Sequence, residues 1–453
     1  MHAAYSFTVQ EKRLSKRLLL TSVFLTGLAA CGDTATLKMA EDTGATPTLP
    51  VPVKRLIPTV NIAPAKGWPA GSMPTPIAGM TVTPFATGLD HPRWVYVLPN
   101  GDVLVAESNA PPKPEDTKDK GIKGWAMNLV MKRAGAKTPS ADRITLLRDA
   151  DGDGVAEVKS VFLQNLMSPF GMALIGNDFY VANADAVVKF AYQPDATAIN
   201  TAATKVVDLP GGPINHHWTK NLIASPDGSK LYVTVGSNSN VGERGMPAEE
   251  GRAAIWEVDL KAGTHRIFAS GLRNPNGMGW APFGGALWTV VNERDELGSD
   301  LVPDYLTSVK DGAFYGWPYA YYGPENVDVR AKPPRPDLVA KSVKPDYALG
   351  AHVAPLGMVF SDGKAMPAAL ASGVFVGEHG SWNRNPLSGY KVTFVPFSGD
   401  KPSGKKIDVL TGFTSQEGNA YGRPVGVAID KRGGLLVADD VGNAIWRVSA
   451  TVK

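Results

Sequence analysis

The sequence predicts an all-β fold, a six-bladed β-propeller, on three observations. A strand–turn–strand unit recurs six times from about residue 81 to the C-terminus. Glycine (48) and proline (36) are both abundant, which suits many short strands joined by many turns. No long stretch has the 3.6-residue periodicity of an amphipathic helix. Each unit carries a small apolar run, a Pro-x-Gly or Asp-Gly turn, and a β-rich run ending in Val-Ala or Val-Gly. Such a unit cannot cover its own faces. A closed ring of them buries those faces and leaves no long open edge. A β-sandwich with similar turn spacing is the competing architecture.

The six units begin "GLDHPRW", "NLMSPFGM", "HHWTKNL", "GLRNPNGM", "HVAPLGM" and "GRPVGV", at residues 88, 165, 216, 271, 352 and 422. Their uneven spacing implies insertions within blades. At 453 residues the chain is long for one domain, but closed β folds often run long as a single unit. The propeller is assigned to residues 81–453.

Ahead of it, residues 32–80 are rich in Pro, Thr and Ala and read as a tether and extended arm. Residues 1–30 read as a signal peptide: "EKRLSKR" precedes the apolar run "LLLTSVFLTGLAA", which is short for a membrane span. "LAAC" resembles a bacterial lipobox, with the lipid on Cys31. A plain secretory signal is the other reading. Cys31 is the only cysteine, so lipidation leaves no thiol for disulfides, metal or catalysis. The chain is expected to be exported and held at a membrane facing the periplasm only through that anchor.

The net charge is +3, and Lys12, Arg13, Lys16 and Arg17 against Glu11 account for it. The remainder balances near zero with no basic block, which argues against nucleic acid as a partner.

Propellers bind ligands at one end of the ring, on loops between blades. The opening turn of each blade is therefore where chemistry is sought. Unit three opens with His216, His217, Trp218, Thr219 and Lys220, in a chain holding only seven histidines. Unit four opens with Arg273 and Asn274, and unit six with Tyr421 and Arg423. Unit five adds "GEHGSWNRNP", with Glu378, His379, Trp382, Asn383 and Arg384. Alone, each of these is more often structural or solvated than functional. Converging on one mouth, they suit an anionic, planar ligand held by arginines beside a proton-accepting imidazole.

These stretches, together with "HPRWVYVLPNGDVLVAES", "NERDELGSDLVPDYL" and "GAFYGWPY", occur in an order that resembles the quinoprotein sugar dehydrogenases. The likeness is to the soluble glucose dehydrogenase type, and within it the sorbosone dehydrogenase-like group. It covers roughly residues 81–450. It implies a six-bladed propeller with pyrroloquinoline quinone (PQQ) in the mouth and Ca2+ bridging cofactor and protein. By this resemblance His217 is the general base, and Arg273 with Asn274 contacts and polarises the quinone. Lys220, Arg384, Tyr421 and Arg423 join Asn274 as cofactor-binding residues. Glu293, Arg294 and Asp295 stand at the calcium loop, the last two through carbonyls. The implied substrate is an aldose or sorbosone-type sugar, and the implied partner an external electron acceptor: a cytochrome, cupredoxin or quinone. The chain departs from the glucose enzyme at His216, where that enzyme has an aspartate.

Three further stretches carry two readings each. "RDADGDGVAE" places Asp149, Asp151, Asp153 and Gly154 at the spacing of a calcium loop, but position twelve is Ser160 rather than Glu. It is either a structural calcium site or an acidic hairpin turn. The insertion 111–135 is either a loop over the mouth or a surface excursion. The aromatics of "YGWPYAYYG" (315–323) either wall the substrate or pack the blade. At the level of function, the alternatives are a non-catalytic ligand-binding propeller and a calcium-dependent lactonase-type hydrolase. The hydrolase needs several carboxylates converging on one calcium, where these turns offer Arg and His.

Overall fold

The computed structural model describes residues 32–38, 40–53, 59–114, 133–135 and 138–451. Cys31, the signal segment and most of the 111–135 insertion lie outside them. Among the described residues, no helix is long and apolar enough to cross a membrane.

The chain forms six antiparallel sheets in a ring, a six-bladed β-propeller. The inner strands are Pro92–Val97, Met172–Ile175, Leu222–Ala224, Asn274–Trp280, Pro355–Phe360 and Pro424–Ile429. Four blades are built from consecutive stretches of chain, and the fifth adds a short N-terminal strand at its outer edge. The sixth takes its outer strand, Met80–Thr87, from the N-terminal side, paired with Ala444–Ala450. That pairing closes the ring and removes an open edge.

The recurring Pro-x-Gly has a packing cause. A Cβ on Gly171 would overlap Leu222 N of the next blade. Likewise Gly277 meets Met358 N, Gly357 meets Val425 O, and Gly426 meets Arg93 O. Inner strands thus approach at backbone contact around the axis, and only glycine fits there. Between blades the packing is apolar: Val105, Leu146, Phe162, Phe170 and Phe179 are fully buried at the junction of blades one and two. Each such phenylalanine contributes about 1.5–3 kcal/mol by leaving water.

The aromatics of 315–323 settle as packing. Tyr315, Trp317, Tyr319, Tyr321 and Tyr322 are all buried. The segment read as a tether and extended arm is, over its described part, pinned along the ring. Thr75–Pro76 pairs with the outer strand Ile407–Thr411 of blade five. Gly44 bridges Ala348, Asp42 accepts Ala351 N at 3.0 Å, and Asp300 accepts Thr36 N at 2.6 Å. Composition hid this, because the arm uses backbone and short polar groups instead of an apolar stripe.

Candidate active site

Antiparallel neighbours reverse direction. The start of each inner strand and the end of each second strand therefore share one face of the ring. Two groups of side chains meet on that face.

The first spans blades three to five. His217 Nδ1 lies 2.8 Å from Ser237 O and 3.0 Å from Ser237 Oγ. A carbonyl only accepts, so Nδ1 carries the hydrogen and Nε2 keeps a lone pair. Nε2 has no hydrogen-bond partner among the described residues. Burial, then the neighbouring His216 and Arg273, holds the His217 pKa well below its usual value, so the ring is neutral. His216 packs edge-on against it, with ring centroids 4.6 Å apart. Gly236 makes room for this ring: a Cβ there would lie 2.5 Å from both His217 Cβ and Asn274 Oδ1.

Arg273 forms the floor beside it. Its guanidinium reaches Glu293 O (2.6 Å), Asn292 O (3.4 Å), Asn240 O (3.2 Å), Asn240 Oδ1 (3.0 Å) and Asp295 Oδ2 (3.0 Å). All five N–H groups are taken. The expectation that Arg273 contacts the quinone is therefore revised: here it positions Asn240 and Asp295. Asp295 also accepts Asn383 Nδ2 at 2.8 Å and faces His352 at 3.6 Å. Burial pushes Asp295 up, but Arg273 and His352 outweigh it and hold it at about 2.

The second group joins blades one, five and six. Asp440 Oδ2 accepts His379 Nε2 at 2.8 Å and is ion-paired with Arg93. His91 Nδ1 lies 3.1 Å from Asp440 O. Burial alone would raise Asp440; His379, His91 and Arg93 hold it far below the usual carboxylate range. Since the carboxylate receives Nε2–H, the His379 lone pair is on Nδ1, which has no partner among the described residues. Burial brings the His379 pKa down to about 4, against the pull of Asp440. Its side chain is 19% exposed, so one ring edge reaches the mouth. The two groups meet at Trp218, whose ring lies 5.8 Å from the Arg93 guanidinium.

Other expected cofactor ligands fall elsewhere. Lys220 is fully buried, and its Nζ donates to His217 O (3.1 Å), Trp218 O (3.2 Å) and Asn215 Oδ1 (3.3 Å). The turn closes on its own carbonyls, and the ammonium satisfies them. Arg384 turns away to Ser299 O (3.0 Å) and Pro386 O (3.1 Å). Neither cation is presented to the mouth. Tyr421 is half-buried against Trp68, with ring centroids 5.7 Å apart. Arg423 lies among the second group, with Nη2 3.1 Å from Ala63 O and its guanidinium 5.1 Å from the Tyr390 ring.

A carboxylate-bearing quinone fits this donor set. Arg93 Nε and Arg423 Nε are buried N–H groups without hydrogen-bond partners. The calcium expectation fits poorly. Of the expected ligand atoms, Asp295 O already receives Arg294 Nη2 at 2.7 Å and Nε at 3.2 Å, whereas Glu293 Oε1 is buried without a hydrogen-bond partner. A cation at this loop would have to compete with the Arg294 guanidinium for Asp295 O. Away from the mouth, carboxylate oxygens of Asp149, Asp151, Asp153 and Glu157 lie within 4.8 Å of one another. Asp149 is already bonded to Gly152 N and Gly154 N and paired with Arg432 at 3.0 Å.

Sequence reasoning missed Arg93, Asn240 and Asp440. "HPRW" and the doublet in "VADD" were the signals: charged residues abutting a buried strand.

A family model described as TrAA12-like matches residues 140–309 and 338–451, more than half of the chain. The chain belongs to the TrAA12-like family. A curated pyrroloquinoline quinone-dependent pyranose dehydrogenase from Coprinopsis cinerea is 23% identical over 429 residues, covering 81% of this chain. The chain covers 53% of that relative, about half its length. An uncharacterized protein of Borreliella burgdorferi is 28% identical over 298 residues, covering 63% of this chain and 76% of its own. The PQQ domain of the Coprinopsis cinerea enzyme superposes with a TM-score of 0.65 at 21% identity, covering 86% of this chain and 100% of the domain. At that identity the superposition speaks for the fold alone. The resemblance to quinoprotein sugar dehydrogenases read from the sequence is borne out at the level of the family.

Proposed function

We propose that this TrAA12-like protein is a PQQ-dependent dehydrogenase that oxidises an aldose or sorbosone-type sugar. The observation that carries the reading is the His379–Asp440–Arg93 arrangement at the mouth. It sets a base-competent imidazole, backed by a carboxylate, next to arginines with N–H groups to spare. Arg93 and Arg423 would hold the cofactor's carboxylates, with Asn274 and His217 facing it from blades three and four. When bound, PQQ supplies the electrophilic carbon that takes the hydride from the sugar's C–H.

The chain's own residues handle the proton. The sugar O–H bond breaks toward His379 Nδ1, and Asp440 stabilises the imidazolium that forms. His217 is the less favourable acceptor, because His216, Arg273 and Lys220 surround it with positive or potentially positive charge. Asp295 and Asp440 are each locked in ion pairs, which counts against a calcium-dependent hydrolase. We further propose export with a lipid on Cys31, and reoxidation by an external electron acceptor.

Purified protein mixed with PQQ, with and without Ca2+, and offered aldoses should reduce an artificial dye well above a cofactor-free control. Dye reduction no greater than that control would overturn the reading.

A further inference from the structure

Residues 59–68 of the N-terminal arm form a strap across the mouth side of blades five and six. Asn61 N donates to Trp382 O (2.8 Å), and its Nδ2 donates to Arg384 O (2.9 Å). Lys66 N donates to Ala420 O, and Ala420 N to Pro64 O, both at 2.8 Å. Two of the strap's contacts converge on one residue. Ala63 O accepts Arg423 Nη2 at 3.1 Å. Trp68 Nε1 donates to Asp439 Oδ2 at 2.7 Å, and Asp439 Oδ1 accepts Arg423 N at 2.8 Å. A Cβ on Gly422 or Gly442 would overlap the Asp439 carboxylate, so Asp439 is seated tightly against backbone. The strap therefore grips Arg423 at its guanidinium directly and at its backbone through Asp439.

We propose that Trp68 is a positioning residue for Arg423, so that the arm preceding the propeller is a working part of the anion-binding wall. The ligand class is a carboxylate-bearing quinone, and in this the inference rests on the function proposed above. Deleting the strap would free Arg423 to turn away from Ala63 O toward solvent. A propeller lacking the arm would then keep its fold and lose affinity for the anion.

Trp68→Phe keeps an aromatic ring against Phe413, Tyr421 and Trp446 but deletes the N–H. Titration calorimetry of wild type and variant with PQQ should show binding weakened about tenfold. The loss should vanish in an Arg423→Met background, since Trp68 acts through that arginine. In cofactor-free protein, phenylglyoxal should modify Arg423 faster in Trp68→Phe than in wild type. Equal PQQ affinity, or a loss that persists undiminished in Arg423→Met, would overturn the inference and mark Trp68 as packing only. If wild type binds no quinone, the proposed function fails, and the labelling decides separately. Unchanged labelling then overturns the grip on Arg423 as well.

Discussion

His379 Nε2 lies 2.8 Å from Asp440 Oδ2, although the two residues stand on different blades and 61 positions apart. The carboxylate fixes the tautomer and turns the ring's other nitrogen to the mouth. Burial sets the His379 pKa at about 4, and Asp440 is what keeps it from falling further. The base is therefore neutral and competent throughout the neutral range. We expect the acid limb of kcat/KM to lie below pH 5. Asp440→Asn removes the pull that raises the pKa, so the limb moves to still lower pH. The plateau should fall by ~10²-fold, because the imidazolium loses its partner. Rates measured from pH 2.5 to 8 check both; a wild-type limb near 6.5 would count against His379.

Lys220 tests whether a buried cation builds the opening turn of blade three. Its three acceptors are His217 O, Trp218 O and Asn215 Oδ1. Lys220→Met strips this donor from the His217 and Trp218 carbonyls, while Asn215 Oδ1 keeps Arg252 Nη1 at 3.1 Å, at a cost of about 1–3 kcal/mol. Urea unfolding should report that loss. PQQ binding should weaken too, because the same turn carries His217 and Trp218. Unaltered stability would mean that the turn holds itself.

The architecture was legible because its repeat has a cause that sequence can carry. Inner strands touch at Gly171, Gly277, Gly357 and Gly426, and each demands the same residue type at the same place. The mouth was legible in part. Turn signals mark where His217, Arg273 and Arg423 stand, and the resemblance supplied roles for them. Direction was not legible. Lys220 and Arg384 are cations in the right turns, yet both serve carbonyls that exist as unmet acceptors only after folding. Asp440 was invisible for the opposite reason. Its partners Arg93 and His379 lie on other blades, and only ring closure brings blade six to blade one. The seat of the arm was not legible for a third reason: it rests on backbone hydrogen bonds and on single side chains such as Asp42 and Trp68, whose partners lie hundreds of positions away.

Gly236 is a sharper test of the first group. It precedes Ser237, whose carbonyl sets the His217 tautomer. Gly236→Ala puts a methyl 2.5 Å from both His217 Cβ and Asn274 Oδ1, so one of them must shift. Overpacking of this kind costs about 1–3 kcal/mol. The melting temperature should drop by several degrees, and PQQ affinity should fall with it. A variant as stable as wild type and binding PQQ equally would show that His217 and Asn274 need not sit this close.

Arg273 couples stability to pH in a way that can be read directly. Asp295 is held at about 2 because Arg273 and His352 overcome its burial. A carboxyl depressed in the folded state contributes stability above its unfolded pKa of about 3.9, and loses it as pH falls toward 2. Arg273→Met removes the strongest of the stabilising charges. It should therefore cost up to about 2 kcal/mol at pH 7 through Asp295 alone, besides the five severed hydrogen bonds. The Asp295 share must shrink as acid protonates that carboxyl in both proteins. His216 and His217 push the same way: Arg273 depresses both, so its removal eases their protonation and favours the variant at low pH. Melting temperatures of the pair from pH 3 to 7 should converge toward the acid end. A gap that stays constant across that range would mean Arg273 acts through its carbonyl contacts and not through Asp295.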